Sequence, residues 1–398
     1  MITREFQNGS LPMLGLGCMR LPLIEGGKNG DIDKEKTAEM VRMALEGGIR
    51  YFDTAYPYHE GNSETVMGEI LSRYPRESYL LASKYPGHQI APSYHPAEVF
   101  EDQLKKCRVE YFDFYLLHNV FEKSIETYMD PQWDIVNYFI RQKKEGRIRH
   151  LGSSSHGKPD VIRAFLDRWG DELDFCMIQL NWLDWSLQNA AEKVHLLQER
   201  KIPIWVMEPL RGGKLIQLTE KQQDLLRKAD PTRKSAEWSF RFLQGIPGVT
   251  VVLSGMSSPE QMAENLKYFE KEAPLSEKEQ ALLFEVAEQM KHSVPCTSCG
   301  YCLKGCPKGL DIPFFLSVYN ELQVSKSFNV SMRIELMEED KKPSACIDCG
   351  ACMSICPQKI KIPEKLRDLS EILKTMPSWR AISRERTKLA ETQRNGRK

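Results

Sequence analysis

The chain has 398 residues, 41% of them hydrophobic and 28% charged, a globular composition with material for two or three domains. Lysine plus arginine and aspartate plus glutamate each number 55, so the formal net charge is zero and bulk electrostatics give no case for nucleic-acid or membrane-surface binding. No apolar run approaches the ~20 residues of a membrane span. The start, Met1-Ile2-Thr3-Arg4-Glu5-Phe6, lacks the basic and apolar regions of a signal peptide, so a cytoplasmic location is expected.

In chain order, the first signal is Asn8-Gly9 between residues 2–6 and 11–13, which predicts a hairpin. Eight short apolar runs follow, at 13–18, 49–53, 79–84, 112–118, 148–153, 175–180, 204–208 and 249–254. They are rich in β-branched and aromatic residues and mostly lack strict alternation, as strands buried on both faces do. Helical stretches separate them. The clearest is 34–46, with Ala38, Val41, Ala44 and Leu45 on one face, Asp33 to cap its start and Gly47-Gly48 to end it. Stretches 98–107, 133–145 and 259–266 are similar. Eight strand–helix units in roughly 250 residues predict an α/β fold of the (β/α)8 TIM-barrel type. A doubly wound open sheet is the rival, but Gly15-Leu16-Gly17 has no glycine three positions on to complete a dinucleotide fingerprint.

In such a barrel, chemistry sits where strands end. Those positions hold Asp53, Lys84, His118, Ser154 and Gln179, with Tyr58 just after the second strand. A single polar strand end is usually a loop cap; several at equivalent ends make a site. A phenol has a pKa of ~10, and a nearby ammonium favours its ionised form. A carboxylate can hold that ammonium, and a histidine can donate to a substrate oxygen. The set suits protonation of an oxyanion as hydride reaches a carbonyl.

Asp53-Thr54-Ala55-Tyr56-Pro57-Tyr58, followed by Gly61-Asn62-Ser63-Glu64, resembles the D-T-A-x-x-Y…G-x-S/N-E signature of the aldo/keto reductases. The resemblance runs on through Ala82-Ser83-Lys84, Leu116-Leu117-His118, Leu151-Gly152-Ser153-Ser154, Ile178-Gln179, Pro209-Leu210 with Gly212-Gly213, and Ser254-Gly255 to Leu266. It covers about residues 1–290. It implies an NAD(P)H-dependent oxidoreductase acting on a small aldehyde or ketone, or on the matching alcohol. By position, Tyr58 is then the general acid, Lys84 lowers its pKa, Asp53 pairs with Lys84, and His118 orients the carbonyl. Ser154, Ser155 and Gln179 resemble the residues that hold the nicotinamide amide. Leu210, Gly212 and Gly213 resemble the pyrophosphate loop, and Gly255, Gln261, Glu264 and Asn265 the adenosine segment. Met207 stands where the family often stacks an aromatic ring, with Trp205 two residues earlier. Ser155 replaces the usual Asn. Gly255 and Gln261 stand where NADP-preferring members commonly place Lys and Arg, which leaves NADH as open as NADPH.

Eight of the 11 cysteines lie between Cys296 and Cys356, which marks a domain change near residue 290. The runs are Cys296-Thr-Ser-Cys299-Gly-Tyr-Cys302-Leu-Lys-Gly-Cys306-Pro307 and Cys346-Ile-Asp-Cys349-Gly-Ala-Cys352-Met-Ser-Ile-Cys356-Pro357. Both read C-x2-C-x2-C-x3-C-P, the two-cluster ferredoxin pattern, in which the fourth cysteine serves the other cluster. Two [4Fe-4S] clusters are expected, one on Cys296, Cys299, Cys302 and Cys356, the other on Cys346, Cys349, Cys352 and Cys306. Zinc sites use separated C-x2-C pairs or Cys/His sets and fit poorly. Residues 313–338 look largely helical, with Phe314, Phe315, Val318, Tyr319 and Leu322 on one face.

The expected division is a barrel at 1–290, a smaller, largely helical ferredoxin-like domain at 291–362 and a basic helical tail at 363–398. Cys18, Cys107 and Cys176 read as small buried hydrophobes. Trp182 and Trp185 suit either a substrate pocket or the core. Nicotinamide moves a two-electron hydride, whereas each cluster moves one electron; a flavin would link them, but no motif marks one. Three functional readings follow: a reductase whose clusters exchange electrons with a ferredoxin-like partner, a carbonyl reductase with structural clusters, and a redox or oxygen sensor.

Overall fold

The computed structural model describes residues 1–89, 91–290, 294, 296, 299–324, 326, 328–356 and 358–395. The described chain forms two units, one of Met1–Leu283 with the C-terminal residues from Arg386, the other of Phe284–Glu385. Among the described residues no helix is long and apolar enough to cross a membrane.

The first unit opens with an antiparallel hairpin, β1 (Thr3–Phe6) and β2 (Gly9–Pro12). Phe6 pairs with Gly9, so the two-residue turn is Gln7-Asn8, one residue earlier than the Asn-Gly pair suggests. Gln7 takes the left-handed conformation at φ 50°, and Gly9 opens the second strand instead. Eight parallel strands then close a barrel: β3 (Leu14–Gly17), β4 (Tyr51–Asp53), β5 (Leu80–Tyr85), β6 (Phe112–Val120), β7 (Ile148–Ser155), β8 (Phe175–Gln179), β9 (Ile204–Met207) and β10 (Val249–Ser254), which pairs back to β3. Each expected run lies on one of these strands, so the TIM barrel is the fold and the open sheet is excluded.

The hairpin plugs one end of the barrel. Phe6 stands edge-on to Trp205 with ring centroids 5.1 Å apart and packs on Phe114 at 5.7 Å. Trp205 also packs on Phe175 at 4.4 Å and has no exposed surface. It is therefore part of the floor, and on β9 only Met207 reaches the opposite end. Trp182 is buried, with its indole N–H donated to Ser239 Oγ (2.8 Å), and Trp185 packs edge-on to Phe242. Both serve helix packing. Cys18, Cys107 and Cys176 are free and buried, as expected.

The helices form the outer layer. In Lys34–Glu46, Asp33 accepts from the Lys36 N–H at 3.0 Å and caps the start. Thr37, Met40, Val41 and Ala44 make the buried stripe, with Ala38 and Leu45 at its edges. Gly48, not Gly47, takes the left-handed turn at φ 89°. Helices Asn62–Leu71 and Pro96–Cys107 pack most closely at Gly68, where an added Cβ would lie 2.3 Å from the Lys106 carbonyl oxygen.

The second unit is helical, around Ile312–Val324, Phe328–Glu335 and Ile362–Lys374. Phe315, Leu316, Val318, Val330, Leu366 and Leu369 are central in its core. The largely helical stretch expected at 313–338 holds two helices; residues 325 and 327 lie outside the described residues, as does Pro357 of the second cysteine run. Helix Trp379–Asn395 follows.

The close approach at Gly68 gives a stability prediction. Gly68→Ala forces a methyl group into the Lys106–Cys107 backbone, which does not yield as a side-chain tip does. The expected cost is about 1–3 kcal/mol, read as a lowered urea midpoint. An unchanged midpoint would contradict the packing described.

Candidate functional site

Three neighbouring strands and one turn bring the tetrad together. β4 ends in Asp53, β5 carries Lys84 one residue before its end, and β6 carries His118. Lys84 is 1% exposed and Asp53 2%. The Lys84 ammonium donates to Asp53 Oδ1, to the Thr54 carbonyl (2.7 Å) and to the Tyr58 hydroxyl (3.2 Å). The His118 ring stands edge-on to Tyr58, centroids 5.8 Å apart. After Tyr58 the chain turns sharply through three left-handed residues, His59 (φ 50°), Glu60 (φ 57°) and Gly61 (φ 89°). Two non-glycine residues in that region are costly, and such strain collects at functional sites.

Burial dominates the electrostatics. It pushes the Tyr58 phenol up; Lys84 pulls it down without overcoming burial, so the phenol stays above its ordinary value. Lys84 therefore acts in the direction the sequence implies, but desolvation sets the net sign. Burial raises the Asp53 carboxyl more than Lys84 lowers it. For Lys84, burial works against the ammonium, but Asp53 and Tyr58 outweigh it and its pKa ends raised. At neutral pH the site therefore holds an ammonium hydrogen-bonded to a neutral phenol.

A second layer fixes the strand that carries Lys84. Gln103 Nε2 donates to the Lys84 carbonyl (3.1 Å) and to Glu64 Oε1 (2.6 Å), and Ser83 Oγ donates to the same Glu64 oxygen (2.5 Å). Glu64 is wholly buried, with Lys106 Nζ 3.9 Å from its other oxygen. In the sequence, Glu64 stands out only as part of a signature, and Gln103 not at all, because it lies in a helix with no motif of its own.

The expected nucleotide residues line the ends of β7 to β10 and the loops beyond. Ser154 Oγ accepts from the Asn119 N–H (2.8 Å), and Ser155 Oγ donates to the Val120 carbonyl (2.6 Å). Gln179 Nε2 donates to Asp184 (2.8 Å), and its oxygen lies 3.0 Å from His156 Nδ1. Leu210 precedes a turn in which Gly212 (φ 65°) and Gly213 (φ 89°) are both left-handed. Asn265 Nδ2 donates to Ser254 Oγ (2.8 Å), and Gln261 Oε1 accepts from the Ser257 N–H (2.8 Å) near Gly255. The Glu264 carboxylate is engaged by Lys234. Asp184, which the sequence did not single out, is buried and ties the end of β8 to the loop after β9. It accepts from Gln179, from Asn181 Nδ2 (2.7 Å) and from Arg211 Nε (3.1 Å).

In the second unit the cysteines line two small, partly open cavities. Cys296, Cys299, Cys302 and Cys356 line one; Cys306, Cys346, Cys349 and Cys352 line the other. Each set takes three cysteines from one run and the last from the other run. Burial raises the Cys302 thiol, with Cys296, Cys299 and Cys356 nearby. Burial pushes Cys352 up to about 11, with Cys346, Cys306 and Cys349 nearby. Gly300 (φ 76°) and Gly350 (φ 72°) turn the backbone beside the cavities, and the Leu310 N–H points at Cys306 Sγ (3.5 Å). Four convergent thiols in an otherwise largely apolar cavity fit an iron–sulfur cluster.

Residues 13–288 match the model of the aldo/keto reductase family. The chain belongs to the aldo/keto reductase family. Residues 295–360 match the 4Fe-4S dicluster domain, so this reductase chain carries a second, iron–sulfur module. It is 26% identical over 327 residues to the NADH-specific methylglyoxal reductase of Escherichia coli, covering 71% of this chain and 96% of that protein. It is 24% identical over 291 residues to the L-galactose dehydrogenase of Arabidopsis thaliana, covering 66% of this chain and 86% of that protein. Among solved structures, it resembles the holo form of aldo-keto reductase AKR11C1 from Bacillus halodurans, at 28% identity and a TM-score of 0.59, covering 72% of this chain and 96% of that one.

Glu208, at the mouth of this reductase barrel, provides a test of the site's electrostatics. Burial pushes its carboxyl up to about 7; Asp184 adds to the shift, while Arg211 and Arg20 oppose it. The folded state therefore holds this proton more tightly than the unfolded chain, whose glutamate releases it near 4.5. Stability from this group falls as pH rises through that window. Relative to Glu208→Gln, the wild type should lose on the order of 2 kcal/mol between about pH 4.5 and pH 8, read by urea unfolding. Parallel pH profiles for the two proteins would contradict the assignment.

Proposed function

We propose that this chain reduces a small aldehyde or ketone with NADPH or NADH, or runs the reverse oxidation, and that its two [4Fe-4S] clusters exchange single electrons with a redox partner. The observation that carries the reductase reading is the buried Lys84 ammonium, hydrogen-bonded to the Tyr58 hydroxyl at 3.2 Å and anchored on Asp53. A bound nicotinamide supplies the hydride chemistry. Tyr58 donates its phenolic proton to the carbonyl oxygen. Lys84 then faces the phenolate left behind and stabilises it, and Asp53 keeps Lys84 in place. His118 orients the carbonyl from the facing side. Ser154, Ser155 and Gln179 hold the nicotinamide amide against Met207. Leu210, Gly212 and Gly213 receive the pyrophosphate, and Gly255, Gln261, Glu264 and Asn265 frame the adenosine end.

The cluster reading is supported by the two cysteine sets that line the cavities, crosswise between the runs. Each cluster supplies one-electron chemistry. Cys299 and Cys349 are exposed, and Tyr301, Ile347 and Ile355 beside the cysteines are exposed as well, a face suited to a ferredoxin-like partner. A purely structural role is the second reading, favoured by Cys302 and Cys352 lying within the core of the unit. A cytoplasmic location fits eleven free cysteines. The proposed domains are the barrel at 1–290, a cluster domain from 291 that takes in helix Ile362–Lys374, whose Leu366 and Leu369 lie in its core, and a basic tail beyond that helix, shorter than the 363–398 expected.

Two variants test this. Tyr58→Phe should lower kcat for methylglyoxal reduction by ~10²–10⁴-fold in an anaerobic nucleotide-oxidation assay; unaltered turnover would sink the reductase mechanism. Cys299→Ser should leave carbonyl reduction intact and reduce electron transfer from the dithionite-reduced clusters to a viologen or ferredoxin acceptor. If it unfolds the second unit instead, the structural reading holds.

A further inference from the structure

Arg20 occupies an unusual place in the barrel mouth. It follows β3, where the chain enters the first strand-to-helix loop. Its backbone is anchored from two sides: the Leu21 N–H donates to His59 Nε2 (3.2 Å), next to Tyr58, and Ser257 Oγ donates to the Arg20 carbonyl (2.8 Å). Its side chain then runs from the loop after β10 towards the loop after β9. A Cβ added at Gly255 would lie 3.2, 3.3 and 3.4 Å from Arg20 Cδ, Cβ and Cγ. A Cβ added at Gly212 would lie 2.8 Å from Arg20 Nη2. The stem therefore rests on the loop after β10, and the guanidinium reaches the glycine turn after β9. Arg20 is exposed, and its guanidinium makes no hydrogen bond or close ion pair among the described residues, although its charge is felt by Glu208 after β9.

The dinucleotide phosphates require cationic or N–H partners, and the two positions where NADP-preferring members commonly place Lys and Arg on the 2′-phosphate hold Gly255 and Gln261. Gln261 is committed to the Ser257 N–H and shapes the same loop that holds Arg20. Gly255 has a physical reason: the Arg20 stem fills the space beside it. Gly212 likewise leaves room for the guanidinium. A planar guanidinium can bond two phosphate oxygens at once.

We propose that Arg20 is the phosphate ligand of the dinucleotide groove, supplied by the loop after β3 in place of a cation at 255 or 261. The inference rests on the nucleotide-binding reading of that groove.

The test is anaerobic titration of the full chain with NADPH and with NADH, by quenching of tryptophan fluorescence, for wild type, Arg20→Ala, Arg20→Lys and Gly255→Ala. Arg20→Ala should raise Kd by ~10–100-fold, the loss of a charge-assisted phosphate contact, with Arg20→Lys recovering part of it. Loss for both nucleotides assigns the contact to the pyrophosphate; loss for NADPH alone assigns it to the 2′-phosphate. Gly255→Ala, which displaces the Arg20 stem, should weaken binding in the same sense. Arg20→Ala with wild-type affinity for both nucleotides overturns the inference while leaving the groove's function intact. Wild type that binds neither nucleotide overturns the groove reading itself, and this inference with it.

Discussion

The structure turns on one buried ion pair. An ammonium taken out of water costs several kcal/mol unless its protons are matched, and Lys84 places its three on Asp53, the Thr54 carbonyl and Tyr58. The strand register makes that match. Asp53 of β4 pairs with Ala82 of β5, and Lys84 lies two residues further along, on the same face. The intervening Ser83 points the other way and meets Glu64 beneath the helical layer. Alternation along one strand thus places the Lys84 ammonium inside the barrel and its structural support outside. The closely packed helices at Gly68 bring Glu64 and Gln103 within reach of that support.

The second unit answers a different constraint. A cubane cluster needs four thiolates around one small volume, and a tight run of cysteines cannot wrap it alone. Exchanging the last cysteine of each run between the two cavities solves this and ties the two runs into one core with Phe315 and Leu366. The chain therefore carries a reductase barrel and an iron–sulfur module in one polypeptide.

Much of this was legible in the sequence where chemistry demands local spacing. The cysteine runs and the Asp53-to-Tyr58 signature must keep their intervals, and the eight apolar runs show the strands because burial on both faces leaves little choice of residue. Groups that act through tertiary contact were hidden. Gln103, Asp184 and Arg20 lie in a long helix, a one-turn helix and a 3-10 turn, and each gains its meaning from residues far away in the chain. Trp205 sits on the same face of β9 as Met207, but two residues earlier is about 7 Å lower in the barrel, which places it on the floor. Tyr58 shows the same limit in energetic form: charge neighbours can be inferred from a motif, but the desolvation that decides the net shift follows from the closed fold.

The most direct test of the catalytic role of Tyr58 is the pH profile of kcat for carbonyl reduction by wild type, measured anaerobically with saturating nucleotide. A buried phenol as the acid predicts a rate that holds through neutral pH and falls only above about pH 10, where a phenol raised from its ordinary value begins to ionise. A fall centred near pH 6–7 would point to an imidazole, such as that of His118, as the proton donor, and would contradict the assignment of Tyr58 as the acid and of the Lys84–Asp53 pair as its support.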